Sequence, residues 1–355
     1  MRKILKIEEE KIKETIISAA NCIKNGELVV FPTETVYGIG ANALDGDAIK
    51  KIFIAKKRPQ DNPLIVHISN LDMLNDIVDL EKISNLERKL IDNFFPGPLT
   101  IILPKKDNIP NIVSANLDTI GVRMPDNEIA IKLIEKSKVP IAAPSANVSS
   151  KPSGTNILDI YDELKESVTC FVDGGDTVLG IESTVVKAIE NEIHILRPGI
   201  ITKAMILDVF DNNVKIIEKP FTETKKVEKV DSPGQKYKHY APNTKCIMVY
   251  GDNETNVIQK IISLINENKS KYNNIAVMSF LENESFFEKL EDIKFINMGS
   301  KSNLLEATKS LYSNLRSLDR YKCDFCIIEG TKQDGLGSSI MNRLVKACEY
   351  NIFEV

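Results

Sequence analysis

The sequence predicts an α/β protein of two domains, a larger mixed α/β domain followed by a smaller doubly wound domain with a parallel sheet. Three observations carry that expectation. The 355 residues divide, at roughly 150 per domain, into about two. Hydrophobic residues make up 43% and charged residues 27%, with 17 Gly and 15 Pro, the composition of a chain that buries a large core. Apolar runs of strand length alternate with stretches of helical spacing on both sides of a Lys- and Pro-containing segment.

The elements follow in order. Ile12, Ile16, Ala19, Ala20 and Ile23 have helical spacing and Gly26 stops them, so residues 10 to 25 are expected as a helix, with the acidic stretch before them read as helical from its first few residues onward. Leu28 to Phe31 is a buried strand, followed by the turn-like PTETVYGIGA, a helix over about 47 to 57, a break at Pro59, and the strand LIVHI. Further strands are expected at 99 to 104, 119 to 125, 140 to 144, 170 to 175, 183 to 189 and 192 to 199, with helices at about 84 to 94, 127 to 138 and 156 to 165. From Glu218 to Asn243 apolar periodicity lapses and Pro recurs at 220, 233 and 242, the composition of a linker. Beyond it CIMVYG, IAVMSF, KFINMG and CDFCIIEG alternate with helices near 254 to 268, 302 to 318 and 337 to 348, which predicts a parallel sheet. The boundaries drawn are 1–212, a linker over 213–243, and 244–355.

Composition also excludes. Lys plus Arg at 46 against Asp plus Glu at 50 leaves a net charge of −4, no general attraction for a polyanion. The amino terminus lacks a signal-peptide pattern and no stretch has the run of apolar residues a membrane helix needs, so a cytoplasmic location is expected. The six cysteines read as reduced core thiols, and the single C-x-x-C pair, Cys323 and Cys326, has no second pair to complete a zinc site. P-loop, dinucleotide, zincin and serine-hydrolase signatures are absent, and three histidines make a multi-histidine metal centre improbable.

What remains is a set of polar residues at strand ends and in the turns beyond them, where open α/β sheets hold ligands. Thr33, Glu34 and Thr35 follow a buried strand and equally suit turn capping. Lys56, Lys57 and Arg58 end a helix, where cations also complement the macrodipole, and Asn62 precedes Pro63 in a turn. His67 sits in a strand, and Arg123 interrupts another, where it needs an anionic partner in the protein or in a ligand. The stretch Ala143 to Thr155 sets Ser145, Asn147, Ser149, Ser150, Ser153 and Thr155 among small residues directly after a buried strand. Ser183, Thr184 and Arg197 follow. These cations and hydroxyls come without a nucleophile-base-orienter set, an inventory suited to positioning a polyphosphate.

FPTETVYGIGA, KKRPQDNPLIVHI, FFPGPLTIIL, GVRMPD, APSANVSSKPSGT and IESTVV, in that order, resemble the YrdC-like threonylcarbamoyl-AMP synthases. SPGQKYKHYAP and a module containing GLGSSIMNRLVKA are similar to the two-domain form of that family, in which Gln235 replaces a common Met. The resemblance implies a YrdC-like twisted mixed-sheet domain, a Rossmann-like second domain, and formation of L-threonylcarbamoyl-AMP and pyrophosphate from L-threonine, bicarbonate or carbon dioxide, and ATP with its Mg²⁺. It also implies a use for the product, modification of the adenosine beside the anticodon in tRNAs reading codons that begin with A, by a downstream transferase machinery and without stable tRNA binding by this chain. Carried over by position, Lys56, Arg58, Ser145 and Asn147 form the catalytic elements. Thr35, His67, Arg123, Ala143 and Ser183 would hold threonine. Arg58, Asn62, Thr119, Ser145, Ser153, Arg197 and Tyr237 would hold the nucleotide, with Tyr237 closing over it from the linker. Because the mixed anhydride product is labile to water, the linker carrying Tyr237 and His239 is expected to act as a lid. An RNA-binding module without catalysis is the competing expectation, disfavoured by the acidic balance, and carbamoyl transfer of the hydrogenase-maturation kind is another.

Overall fold

The computed structural model describes residues 3–6, 12–220 and 239–355. They form two compact units. Of the described residues, the first comprises 3–6, 12–149, 153–178 and 182–220, and the second 150–152, 179–181 and 239–355. Among the described residues no helix is long and apolar enough to cross a membrane.

The first unit runs β1 (Lys3–Lys6), α1 (Ile12–Lys24), β2 (Val29–Phe31), β3 (Gly38–Asn42), α2 (Gly46–Lys56), β4 (Ile65–His67), α3 (Leu71–Ile77), α4 (Asn85–Phe94), β5 (Leu99–Pro104), α5 (Asn111–Ser114), β6 (Thr119–Arg123), α6 (Glu128–Ser137), β7 (Ile141–Ala142), α7 (Ile157–Leu164), β8 (Cys170–Asp173), β9 (Thr184–Ile189), β10 (Glu192–Arg197), α8 (Lys203–Val209) and β11 (Lys215–Glu218). Its strands make one mixed sheet in the order β1-β8-β2-β3-β7-β4-β6-β5-β9-β10-β11. Side chains alternate across it. Val30 joins a core with Tyr37, Ile39, Val66 and Val122, while its neighbours Val29 and Phe31 join another with Ala19, Ile23 and Leu133. The sheet is therefore covered on both faces, each fully buried aliphatic side chain contributing about 1.5–3 kcal/mol.

Local chemistry sets the helix ends. Asp45 caps α2 by accepting from the N–H groups of Asp47 and Ala48, and Lys57 closes it in the left-handed region at φ 51°. Ser84 and Glu87 form a reciprocal capping box on α4.

Three strands lie where none was expected, and the acidic stretch read as helical, within residues 7–11, lies outside the described residues. The amino terminus begins with a strand, β1, paired in parallel with β8, because the free edge of β8 offers it backbone partners that the local sequence pattern does not reveal. Residues 38–42, inside the segment read as a turn, form β3, antiparallel to β2. Gly40 belongs there for packing: a Cβ would lie 2.6 Å from Ile141 Cγ2 and 2.7 Å from Phe31 Cε1. Within 213–243, β11 pairs in parallel with β10, and residues 221–238 lie outside the described residues.

The second unit runs β12 (Lys245–Tyr250), α9 (Glu254–Asn268), β13 (Ile275–Ser279), α10 (Glu284–Phe287), β14 (Ile293–Asn297), α11 (Leu304–Arg320), β15 (Phe325–Glu329), α12 (Gly335–Ala347) and β16 (Ile352–Glu354). The sheet is parallel throughout, ordered β14-β13-β15-β12-β16, with Val249, Ile261, Val277 and Ile327 in its core. Cys323 precedes β15 and Cys326 lies within it, so the C-x-x-C pair straddles a strand start. All six cysteines are free thiols, and burial pushes those of Cys326 and Cys348 well up.

Candidate active site

The central parallel pair β4 and β6 builds the frame. Their register matches Ile65 with Gly121 and His67 with Arg123, so the last two residues of the strands stand side by side at the carboxyl ends. Arg123, 4% exposed, donates from Nη1 to Thr35 Oγ1 at 2.9 Å and from Nε to the Gly97 carbonyl at 3.3 Å. Thr35 is held by its neighbour: the Thr33 and Thr35 hydroxyls are 2.8 Å apart, and Thr33 donates to the Val36 carbonyl at 2.7 Å. Arg123 Nη2 lies 2.6 Å from Glu34 Oε1, yet the N–H does not point along that line. The pair is a charge contact without an aligned hydrogen bond.

His67 is buried edge-on to Phe31, with ring centroids 6.5 Å apart, and its Nδ1 has no hydrogen-bond partner among the described residues. Burial first, and the Arg123 charge second, push its pKa down from 6.5 to about 3. Its imidazole is neutral at physiological pH.

A second group gathers at the end of α2. Lys56, 1% exposed, donates to the carbonyls of Ser145 and Asn147, both at 2.5 Å, and approaches Asn147 Oδ1 at 3.4 Å. Ser145 Oγ donates to Asn147 Oδ1 at 2.6 Å, and the Ser149 N–H to the Lys56 carbonyl at 2.8 Å. The serine-rich segment is thereby fastened to the helix. Arg58 donates to the carbonyls of Asn62 at 3.3 Å and Pro63 at 3.0 Å, shaping the turn into β4. Arg58, Asn62 and Pro63 precede β4, whose pairing with β6 begins at Ile65 and Gly121, while Thr119 opens β6, opposite Pro104 of β5. Thr119 thus sits at the opposite end of β6 from Arg123, roughly 13 Å along the strand.

A third group lies where β9 begins. Arg197 grips the Ser183 carbonyl twice, from Nε at 3.1 Å and Nη2 at 2.9 Å, and reaches Ser183 Oγ at 3.2 Å. The Ser183 hydroxyl is 2.8 Å from that of Thr100. Gly97 and Pro98 connect this group to Arg123, since the Pro98 carbonyl accepts from Thr184 N–H and the Gly97 carbonyl from Arg123. Ser153 donates to Glu182 Oε1 at 2.6 Å. Ala143, whose N–H bonds the Ile65 carbonyl, runs beside β4.

The structure accordingly brings together Thr35, His67, Arg123 and, through Gly97 and Pro98, Ser183 with Arg197. It places Lys56, Ser145 and Asn147 in one cluster, and Arg58, Asn62 and Thr119 at the amino ends of β4 and β6. Tyr237 lies outside the described residues. His239 lies beside Tyr240 in the second unit, with ring centroids 5.5 Å apart and planes tilted by 40°. Sequence reading passed over Thr100 and Glu182 and left Glu34 open between turn capping and function. The available signal was a charge or hydroxyl interrupting an otherwise buried apolar run.

Buried cations and hydroxyls gather at the ends of central strands of an α/β sheet, an arrangement suited to anionic ligands. Comparison with known proteins narrows this. The family model described as "Telomere recombination" matches residues 21–199, and "Threonylcarbamoyl-AMP synthase, C-terminal domain" matches residues 201–348. The chain is 41% identical to the threonylcarbamoyl-AMP synthase of Pyrococcus abyssi over 99% of its own length and 97% of the relative's. It is 40% identical to that of Bacillus subtilis, over 94% and 92%. The crystal structure of Pyrococcus abyssi Sua5 complexed with L-threonine superposes with a TM-score of 0.89 at 40% identity, covering 100% of this chain and 99% of that one. The chain belongs to the threonylcarbamoyl-AMP synthase family in its two-domain form.

Proposed function

We propose that the chain forms L-threonylcarbamoyl-AMP and pyrophosphate from L-threonine, bicarbonate or carbon dioxide, and ATP. Its product would serve threonylcarbamoylation of the adenosine 3′ of the anticodon in tRNAs reading codons that begin with A, through a separate transferase machinery. The observation that carries the reading is the pairing of Arg123 with a neutral His67 at the carboxyl ends of β4 and β6, with Arg58 and Asn62 before β4 and Thr119 opening β6 at the other end. An amino-acid carboxylate suits the first end, because Arg123 offers a planar fork beside an uncharged ring and the Thr35 hydroxyl. The nucleotide suits the second.

Threonine binds as its ammonium form and gives up a proton; the free amine then adds to carbon dioxide with loss of a second proton, or to bicarbonate with loss of water, and the resulting carbamate attacks the α-phosphate as pyrophosphate leaves. Both reactants are anions. Lys56, Arg58 and Arg197 supply the positive field that offsets their repulsion, and the fastening of Lys56 to the Ser145–Asn147 carbonyls fixes where that field acts. ATP enters as its Mg²⁺ complex. The phosphates of ATP are the proposed ligands of that ion.

The relatives are named as synthases along the whole chain, which supports catalysis over the RNA-binding reading. The test is pyrophosphate release from ATP with and without L-threonine and bicarbonate, with serine and Arg58→Ala as controls. Release that needs both threonine and bicarbonate and is lost in Arg58→Ala is expected. Threonine-independent release, or none from folded protein, would overturn the proposal.

A further inference from the structure

One buried charged group has no use in the mechanism so far. Glu34 is 6% exposed, and neither of its carboxylate oxygens accepts a hydrogen bond from any described residue. A buried carboxylate without donors is costly, so such groups are almost always hydrogen-bonded. Its counter-charge is Arg123, whose Nη2 at 2.6 Å is itself without an aligned acceptor while Nε and Nη1 are engaged elsewhere. The pair is matched in charge and mismatched in geometry. Among the described residues Arg123 is the ion-pair partner shown for Glu34, and His67, beside Arg123 in the register, is neutral.

We propose that Glu34 is the receptor for the ammonium group of the amino-acid substrate, and that it rests against Arg123 until the substrate carboxylate takes that place. The inference rests on the placement of threonine at Arg123. A zwitterion inserted between the two groups gives each the aligned, charge-assisted partner it lacks. The buried site stays neutral overall, with a neutral ion pair before binding and a neutral ligand added to it. Glu34 therefore makes the site specific for an α-amino acid over a hydroxy acid of the same skeleton.

The probe is L-threonine against 3-hydroxybutyrate, which has the same carbon chain and hydroxyl without the amine, with binding to the full chain measured by calorimetry. The unaltered protein should prefer threonine by roughly ten-fold or more, the effect of one charge-assisted hydrogen bond. Glu34→Gln should bring the two ligands to within about three-fold of each other, whereas Arg123→Gln should weaken both. Equal binding of the two ligands by the unaltered protein overturns the inference without any variant, and so decides it even if Glu34→Gln fails to fold. A folded Glu34→Gln that keeps the full preference for threonine overturns it while leaving threonine at Arg123. Undiminished binding of both ligands by Arg123→Gln instead overturns the placement on which it rests.

Discussion

Replacing Lys56 by Met tests whether the ammonium group fastens the serine-rich segment to α2. The two side chains have similar length and apolar volume, so the change deletes the charge and its donors while keeping the packing. Two charge-assisted bonds are lost, to the carbonyls of Ser145 and Asn147, at about 1.5–3 kcal/mol each, or about 3–6 kcal/mol together. For a domain of roughly 150–250 residues each kcal/mol shifts Tm by about 2–4 °C, so the first thermal transition should fall by at least about 6 °C. Lys50 on the same helix is the control. Its ammonium is exposed and pairs only with Asp47 one turn away, so Lys50→Met should leave Tm unchanged within error. Differential scanning fluorimetry of both variants, followed by pyrophosphate release, makes the comparison. A Lys56→Met protein that melts with the unaltered one would refute the claim that these bonds hold the segment.

Three further outcomes are expected. His67, with a folded pKa of about 3 against 6.5 unfolded, lets the unfolded chain bind more protons between those values, so its contribution is complete above pH 6.5 and declines as pH falls. From pH 6.5 to 4.5 the loss is about 2 kcal/mol, and Tm in His67→Gln should fall less than in the unaltered protein over that range; parallel curves would refute the shift. Gly40→Ala should cost about 1–3 kcal/mol by urea denaturation, because its methyl would crowd Ile141 and Phe31, and an unchanged midpoint would show that the sheet relaxes around it. Arg197→Lys should lower kcat/KM for ATP by ten-fold or more, since a point charge cannot reproduce the two-nitrogen grip on the Ser183 carbonyl; a loss below about two-fold would remove Arg197 from the site.

Much of the molecule was legible in the sequence. The helical spacing of Ile16, Ala19, Ala20 and Ile23 gives α1, the apolar runs give the strands of both sheets, and the ordered motifs identify the family, because hydrophobic periodicity and turn chemistry are local properties. Strand partners are not local. That Lys3–Lys6 would lie beside β8, or that the glycines of YGIGA would form a strand packed on Phe31 and Ile141, depends on edges and voids created by distant segments. The same holds within the site. Sequence supplied the residue types at His67 and Arg123, but only the parallel register of β4 and β6 sets them side by side and buries the imidazole deeply enough to keep it neutral. Glu34 reads locally as a turn residue between two threonines. It becomes a buried carboxylate facing Arg123, 89 positions later in the chain, only because folding excludes water from both, and the free energy of a charge is decided by that surrounding medium rather than by its neighbours in sequence.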